Sequence, residues 1–151
     1  TIIPRGRAGG FTLTAPEEEQ MLYTRSELEA RLKMLLGGLC AEEVLMGERS
    51  TGAQDDLKRA TQLAREMISR YGMGESVGLM TVPDTDWPEV QSVSQESAAA
   101  IEREVRSLLS QMYQETRQLL EENRDKLMAL AGTLADRETI DGEEVRRILC
   151  A

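Results

Sequence analysis

Residue types that most often do catalytic chemistry are scarce in this chain. It contains no histidine, which excludes histidine acid–base catalysis, Ser-His-Asp triads and histidine metal sites within these residues. Cys40 and Cys150 have no histidine to activate them. They are too few for a structural zinc site, and we expect two reduced thiols. No Gly-x-x-x-x-Gly-Lys-Ser/Thr loop is present to hold phosphates. The carboxylates are the remaining candidates.

Asp56 is the carboxylate whose position could carry chemistry. It lies in the first turn of a predicted helix, on one face with Ala60, Leu63 and Met67. That face is predicted to point to the core, where a carboxylate must be hydrogen-bonded, paired or bound to a metal. A helix N-terminus also favours the ionised, metal-binding form. The pattern leaves an alternative open, namely that Asp56 only serves the helix start. Asp55 projects about 100° away and is expected to face solvent.

The other carboxylates carry weaker signals. Residues 17–19 and 121–122 are expected to be solvated faces. The pair Glu42 and Glu43 is less clear, because Glu43 continues a leucine stripe while Glu42 lies beside other leucines of the same helix.

Helix signals organise most of the chain. A capping box at Thr24 predicts a first helix that stops at Gly47. The pair Gly37-Gly38 inside it suggests a close neighbour at that point. Further helices are predicted from about residue 54 to 71, and from about residue 94 with a break near 121–125. A last short helix opens at the capping box beginning with Asp141. Residues 75–93 have no period and are expected to form a surface excursion.

The first 20 residues differ from the rest. Short runs at 1–3 and 11–14 flank a glycine-rich segment, which predicts two short strands around a turn. The predicted fold is therefore mainly α: a helical bundle over residues 24–151 with a short N-terminal β-ribbon over residues 1–20.

Charge and hydropathy limit the partners. The net charge of −9 argues against nucleic acid and anionic lipid as partners. No apolar run approaches the roughly 20 residues of a membrane span. The chain begins without Met, and we expect a fragment of a longer protein.

Residues 50–57, Ser-Thr-Gly-Ala-Gln-Asp-Asp-Leu, resemble the Ser-Thr-Gly-Ala-x-Asn-Asp-hydrophobic motif of the FtsH peptidases, the M41 family. Four other segments resemble family elements in the same order, so the similarity covers essentially the whole chain. They are residues 2–10, 36–43, 64–73 and 138–141.

The resemblance implies a partial peptidase M41 domain over residues 1–151, with the fold of the FtsH peptidases. Family members use a zinc-activated water at a His-Glu-x-x-His site, where two histidines and an aspartate bind zinc and the Glu is the general base. Asp56 occupies the place of that aspartate. Glu42 matches a family carboxylate near the metal. The His-Glu-x-x-His helix would precede Thr1, so this chain would hold no catalytic residue and would be inactive alone.

The resemblance also implies partners. Family proteins cleave unfolded or tagged proteins on the cytoplasmic side of the membrane. They carry a transmembrane anchor and an upstream AAA+ module that uses ATP and Mg, and they form hexamers. Phe11, Thr12 and Leu13 would offer a strand edge that takes extended substrate by β-addition.

The sequence departs from the family pattern at some positions, so other hypotheses about its function remain. Leu39-Cys40 replaces the usual Arg and the residue after it, and Asp55 replaces a frequent Asn. An inactive pseudoprotease or ring-forming interaction module is the main alternative to an active protease. A plain helical adaptor would require the motif matches to be accidental.

Overall fold

The computed structural model describes residues 1–4, 10, 12, 22–76, 78, 79, 81 and 94–150. Over these residues the chain is mainly helical. The helices are α1 (Arg25–Met46), α2 (Gln54–Ser69), α3 (Gln95–Glu122), α4 (Arg124–Arg137) and α5 (Gly142–Cys150). Two compact units are formed, a larger one from residues 22–119 and a smaller one from residues 1–21 with 120–151. In the described part of the chain, no helix combines the length and apolar character needed to cross a membrane.

Local signals set both ends of α1. The Thr24 side chain accepts from the Glu27 backbone N–H, and the Glu27 carboxylate accepts from the Thr24 backbone N–H. This confirms the predicted capping box, which satisfies backbone donors that the first turn leaves unpaired. Gly47 closes the helix with a φ of 77°, a left-handed conformation that favours glycine.

The larger unit holds a core of three helices. Each contributes a stripe of buried residues at helical spacing, so that apolar surface is removed from water along one face. The stripes are Leu28, Leu32, Leu36 and Cys40 on α1, Ala60, Ala64, Met67 and Ile68 on α2, and Ile101, Val105, Leu108 and Met112 on α3. Burial raises the pKa of the Cys40 thiol, which therefore packs as a small apolar group.

The prediction of a close neighbour at Gly37-Gly38 is wrong for the described residues. A Cβ added at either glycine would meet no atom within 4 Å. The buried stripe of α1 runs at strict four-residue steps through Leu36 and Cys40, and this leaves the glycine pair beside the packed face.

The turn after α2 is held by side chains from both other helices. Arg25 of α1 donates to the Met73 carbonyl at 3.0 Å. Glu104 of α3 accepts from the backbone N–H groups of Glu75 at 2.7 Å and Ser76 at 2.9 Å. Partial burial opposes the ionisation of Glu104, but the hydrogen bonds from Ser76 and Glu75 outweigh it and hold the pKa of Glu104 below its usual value.

The smaller unit has polar contacts at its helix ends beside half-buried apolar side chains of α4 and α5. Asp141 caps α5 by accepting from the Glu144 backbone N–H at 2.8 Å, which is one half of the predicted capping box, while the Glu144 carboxylate pairs with Arg137 and Arg147. Lys126 of α4 donates to the Leu149 carbonyl at 2.5 Å, a favourable place for a cation near a helix C-terminus. Of the residues described here, α4 and α5 contribute none to the fully buried set.

Most of the predicted β-ribbon lies outside the described residues. Thr1–Pro4, Gly10 and Thr12 are described, and none of them is in a strand. The Ile2 N–H donates to the Glu138 carbonyl at 2.9 Å. Gly10 lies so close to Thr1 that an added Cβ would sit 2.7 Å from the Thr1 carbonyl oxygen, so a side chain at position 10 would force the two segments apart. The predicted excursion at 75–93 also lies mostly outside the described residues.

We expect Glu104→Gln to lower the free energy of unfolding by about 1 kcal/mol, because the two backbone N–H groups bond to different carboxylate oxygens and the amide replaces one of these oxygens with a donor NH₂ group. The folded-state pKa of Glu104 is lowered. Its contribution is therefore present above the unfolded-state pKa and lost as the pH falls through the folded-state value. Urea unfolding of both proteins at neutral and acid pH measures this, and the difference between them should shrink in acid.

Glu115→Gln is the matched control on the same helix. Glu115 makes an exposed ion pair with Lys33, so its loss should matter less at neutral pH. If the two substitutions lower the free energy of unfolding equally, the Glu104 hydrogen bonds stabilise the fold no more than an exposed ion pair does.

Candidate metal-binding site

The segment between α1 and α2 is a short, internally bonded loop. After Gly47 it runs through Arg49 and Ser50 into a 3₁₀ turn, Thr51–Ala53, and α2 follows directly at Gln54. The Ser50 hydroxyl accepts from the Gly52 backbone N–H at 3.0 Å, which caps the 3₁₀ turn. The start of α2 is therefore set by the position of Ser50.

Glu42 holds Ser50 from the last turns of α1. Its carboxylate accepts from the Ser50 hydroxyl at 2.7 Å and from the Ser50 backbone N–H at 2.7 Å. These two bonds hold the pKa of the Glu42 carboxyl below its usual value, and the bond from the Ser50 hydroxyl has the larger effect. An ionised carboxylate thus accepts from the same residue that caps the 3₁₀ turn, and the loop is joined to the side of α1.

Asp56 is the third residue of α2, and its side chain is 50 % exposed. It forms an ion pair with Arg59 at 3.7 Å. The prediction that this carboxylate points to the core is therefore corrected. Ala60 and Met67 of the same face are buried, but Asp56 precedes the first buried residue of α2 and lies beyond the end of the apolar stripe. Its carboxylate can therefore contact water, and the burial cost that the core position would have imposed does not arise.

Imidazole, thiol and carboxylate groups are the side chains that could hold zinc. In the described ranges, no group of three or more His, Cys, Asp or Glu is arranged to hold a metal ion. Asp56 has the chemistry of a carboxylate zinc ligand: half its side chain is open, and its ion pair is longer than a charge-assisted hydrogen bond. Asp55 is exposed, as predicted. That Asp56 supplies one ligand of a zinc site stays a prediction.

Sequence reasoning missed a second set of contacts around the same loop. Arg49 pairs with Glu43 at 3.3 Å and donates to the Tyr113 hydroxyl at 3.0 Å. The Tyr113 hydroxyl donates to Glu43. No sequence pattern identifies this group, because Tyr113 belongs to α3 and meets α1 only through tertiary packing. The sequence could not decide the role of Glu43 for the same reason.

The proposed substrate-strand residues are only partly described. Phe11 and Leu13 lie outside the described residues, and Thr12 is exposed. Their role stays a prediction.

Comparison with known proteins gives consistent matches. The family model "Peptidase family M41" matches residues 1–148. "ATP-dependent zinc metalloprotease FtsH 2" of Symbiobacterium thermophilum is 80 % identical over 151 residues, which are 100 % of this chain and 26 % of that protein. "ATP-dependent zinc metalloprotease FtsH 1" of Thermoanaerobacter sp. is 40 % identical over 98 % of this chain and 26 % of its own length.

A more distant relative agrees with these. "ATP-dependent zinc metalloprotease FtsH" of Bacillus subtilis is 37 % identical over 99 % of this chain and 25 % of its own length. The chain spans about a quarter of the length of the curated relatives it matches. Since the family model and these relatives cover nearly every residue, the chain belongs to peptidase family M41.

Proposed function

We propose that this chain is the peptidase portion of an ATP-dependent zinc metalloprotease that degrades unfolded or tagged proteins. The observation that supports it most directly is Asp56: an accessible carboxylate in the first turn of α2, at the end of the Ser-Thr-Gly-Ala loop. In this proposal Asp56 is one of three protein ligands of zinc. The two histidines and the general-base Glu belong to a His-Glu-x-x-His helix that precedes Thr1.

Each described residue of the site has a distinct task. Asp56 supplies a carboxylate oxygen to the metal from the first turn of α2. Glu42 keeps Ser50 in place, so that the 3₁₀ turn and the first turn of α2 form at one position. Zinc, when bound, supplies a water of lowered pKa that can attack a peptide carbonyl. The chain alone then has no peptidase activity, because the general base lies outside it.

The wider assembly follows from the same proposal. An upstream AAA+ module would use ATP and Mg to deliver protein substrates, and a membrane anchor would hold a homo-hexamer on the cytoplasmic side. Phe11, Thr12 and Leu13 would present a strand edge to the extended substrate. The gene sequence for the 40 residues before Thr1 tests this directly. A segment without His-Glu-x-x-His would overturn the proposal and favour the inactive pseudoprotease.

In the complete protein, we expect Asp56→Ala to abolish both zinc retention and casein cleavage. Loss of a ligand should weaken zinc binding by more than the roughly 10- to 100-fold that is typical for loss of an outer partner. Mass spectrometry of the native protein and a casein assay measure the two effects.

Asp55→Ala is the control for that substitution, since it removes the adjacent exposed carboxylate and should leave both properties intact. Stoichiometric zinc on the 151-residue chain alone would contradict the single-ligand assignment, as would zinc retention by Asp56→Ala.

Glu42→Ala tests the support of the loop. It removes both hydrogen bonds to Ser50, and we expect zinc affinity of the complete protein to fall about 10- to 100-fold. Hydrogen exchange at the Ser50 and Gly52 amides should become faster, because the 3₁₀ turn loses its anchor. Glu48→Ala, at an exposed position of the same loop, should change neither quantity. Unchanged exchange at Ser50 in Glu42→Ala would rule out the assigned role.

A further inference from the structure

Three side chains near the end of α1 contact one another, and we name them the Tyr113 cluster: Glu43, Arg49 and Tyr113. Tyr113 donates its hydroxyl proton to Glu43. Arg49 donates through Nη2 to the Tyr113 hydroxyl at 3.0 Å and to the Glu43 carboxylate at 3.3 Å. The Arg49 guanidinium also lies 5.1 Å from the centre of the Tyr113 ring. Each member thus contacts both others, and such a network is stiffer than separate pairs.

The cluster and the Glu42 contacts act on consecutive residues. Glu42 holds Ser50, and the next residue of α1, Glu43, holds the residue before Ser50, which is Arg49. Neighbouring residues on a helix point about 100° apart. The two carboxylates therefore hold the loop from two directions, which restrains its rotation as well as its distance from α1.

Tyr113 brings α3 into this arrangement. The cysteine Cys40 is fully buried on α1 and its Sγ lies 3.8 Å from the Tyr113 carbonyl oxygen. Met112 and Thr116, which lie one residue before and three residues after Tyr113 on α3, are both buried. Because its backbone belongs to the packed core, the Tyr113 hydroxyl is a fixed point against which Arg49 can be held.

We propose that Tyr113 is a positioning residue for Asp56, acting through Arg49 and Glu43 to hold the loop that starts α2. The inference rests on the proposed zinc-ligand role of Asp56. Zinc binding depends on the placement of each ligand and on the groups that hold it. Asp56 is only seven residues after Arg49, and the intervening residues comprise Ser50, the capped 3₁₀ turn and the start of α2.

The cluster lies at the margin of the core. The Arg49 side chain is 53 % exposed and that of Glu43 is 25 % exposed. The core stripes of the three helices do not include either residue. Removing the Tyr113 hydroxyl should therefore disturb the loop more than the helix packing.

The test uses Tyr113→Phe in the complete protein, with zinc affinity measured by competition against a chelator. We expect zinc to bind about 10-fold more weakly, with little change in the thermal unfolding midpoint. Cobalt(II) in place of zinc should show an altered visible absorption band, because that band depends on ligand geometry. Tyr71→Phe is the matched control, since Tyr71 also donates to a glutamate, Glu66, but at the far end of α2.

Arg49→Ala provides an independent variant that alters an exposed side chain. It should weaken zinc binding to a similar degree, and the double variant with Tyr113→Phe should be no weaker than the stronger single one, because both remove the same connection. The inference would be overturned if the losses of zinc affinity in the two single variants add up in the double variant. It would also be overturned if both single variants keep the zinc affinity and the cobalt absorption of the wild type. If Tyr113→Phe fails to fold, Arg49→Ala alone decides by the same two measurements.

Asp56→Ala, measured in the same series, separates the two proposals. Zinc retention in Asp56→Ala would refute the zinc-ligand role and with it this inference. Loss of zinc in Asp56→Ala together with unchanged binding in Tyr113→Phe and Arg49→Ala would refute only the role of the Tyr113 cluster.

Discussion

The two hydrogen bonds from Ser50 to the Glu42 carboxylate join the packed part of the chain to the candidate site. Glu42 is placed by α1, whose leucine stripe is buried in the three-helix core. Ser50 in turn caps the 3₁₀ turn, and α2 begins where that turn ends. The position of Asp56 thus depends on hydrophobic packing through a short series of local contacts. Hydrophobic burial alone would leave the loop free to vary, because burial is not directional.

Helix ends were predictable because their causes are local. The capping box at Thr24, the left-handed Gly47 and the Asp141 cap each depend on residues within four positions of one another. The break between α3 and α4 also falls inside the predicted interval, at Asn123. The family assignment was predictable for a related reason: the motif around Asp56 is continuous in the sequence, as are the other matching segments.

Features that depend on how helices meet were not predictable. Periodicity placed Asp56 on an apolar face, but could not show that this face ends before the first turn of α2. It could not identify the contact of Glu43 with Tyr113, which lies 70 residues later on another helix. The prediction at Gly37-Gly38 was wrong because the absence of a side chain does not require a neighbour. Each case turns on a tertiary contact, or on the lack of one among the described residues.

The partial exposure of Asp56 bears on how a metal would reach the site under the proposed function. A ligand buried in the core would be reached only when the core opens, so the rate of metal uptake would follow the rate of local unfolding. Asp56 lies before the buried stripe of α2, and half of its side chain already meets water. Uptake at this ligand needs only the displacement of solvent and of the Arg59 ion pair. Under the proposed function, Asp56 would then gain or lose a metal without opening of the three-helix core.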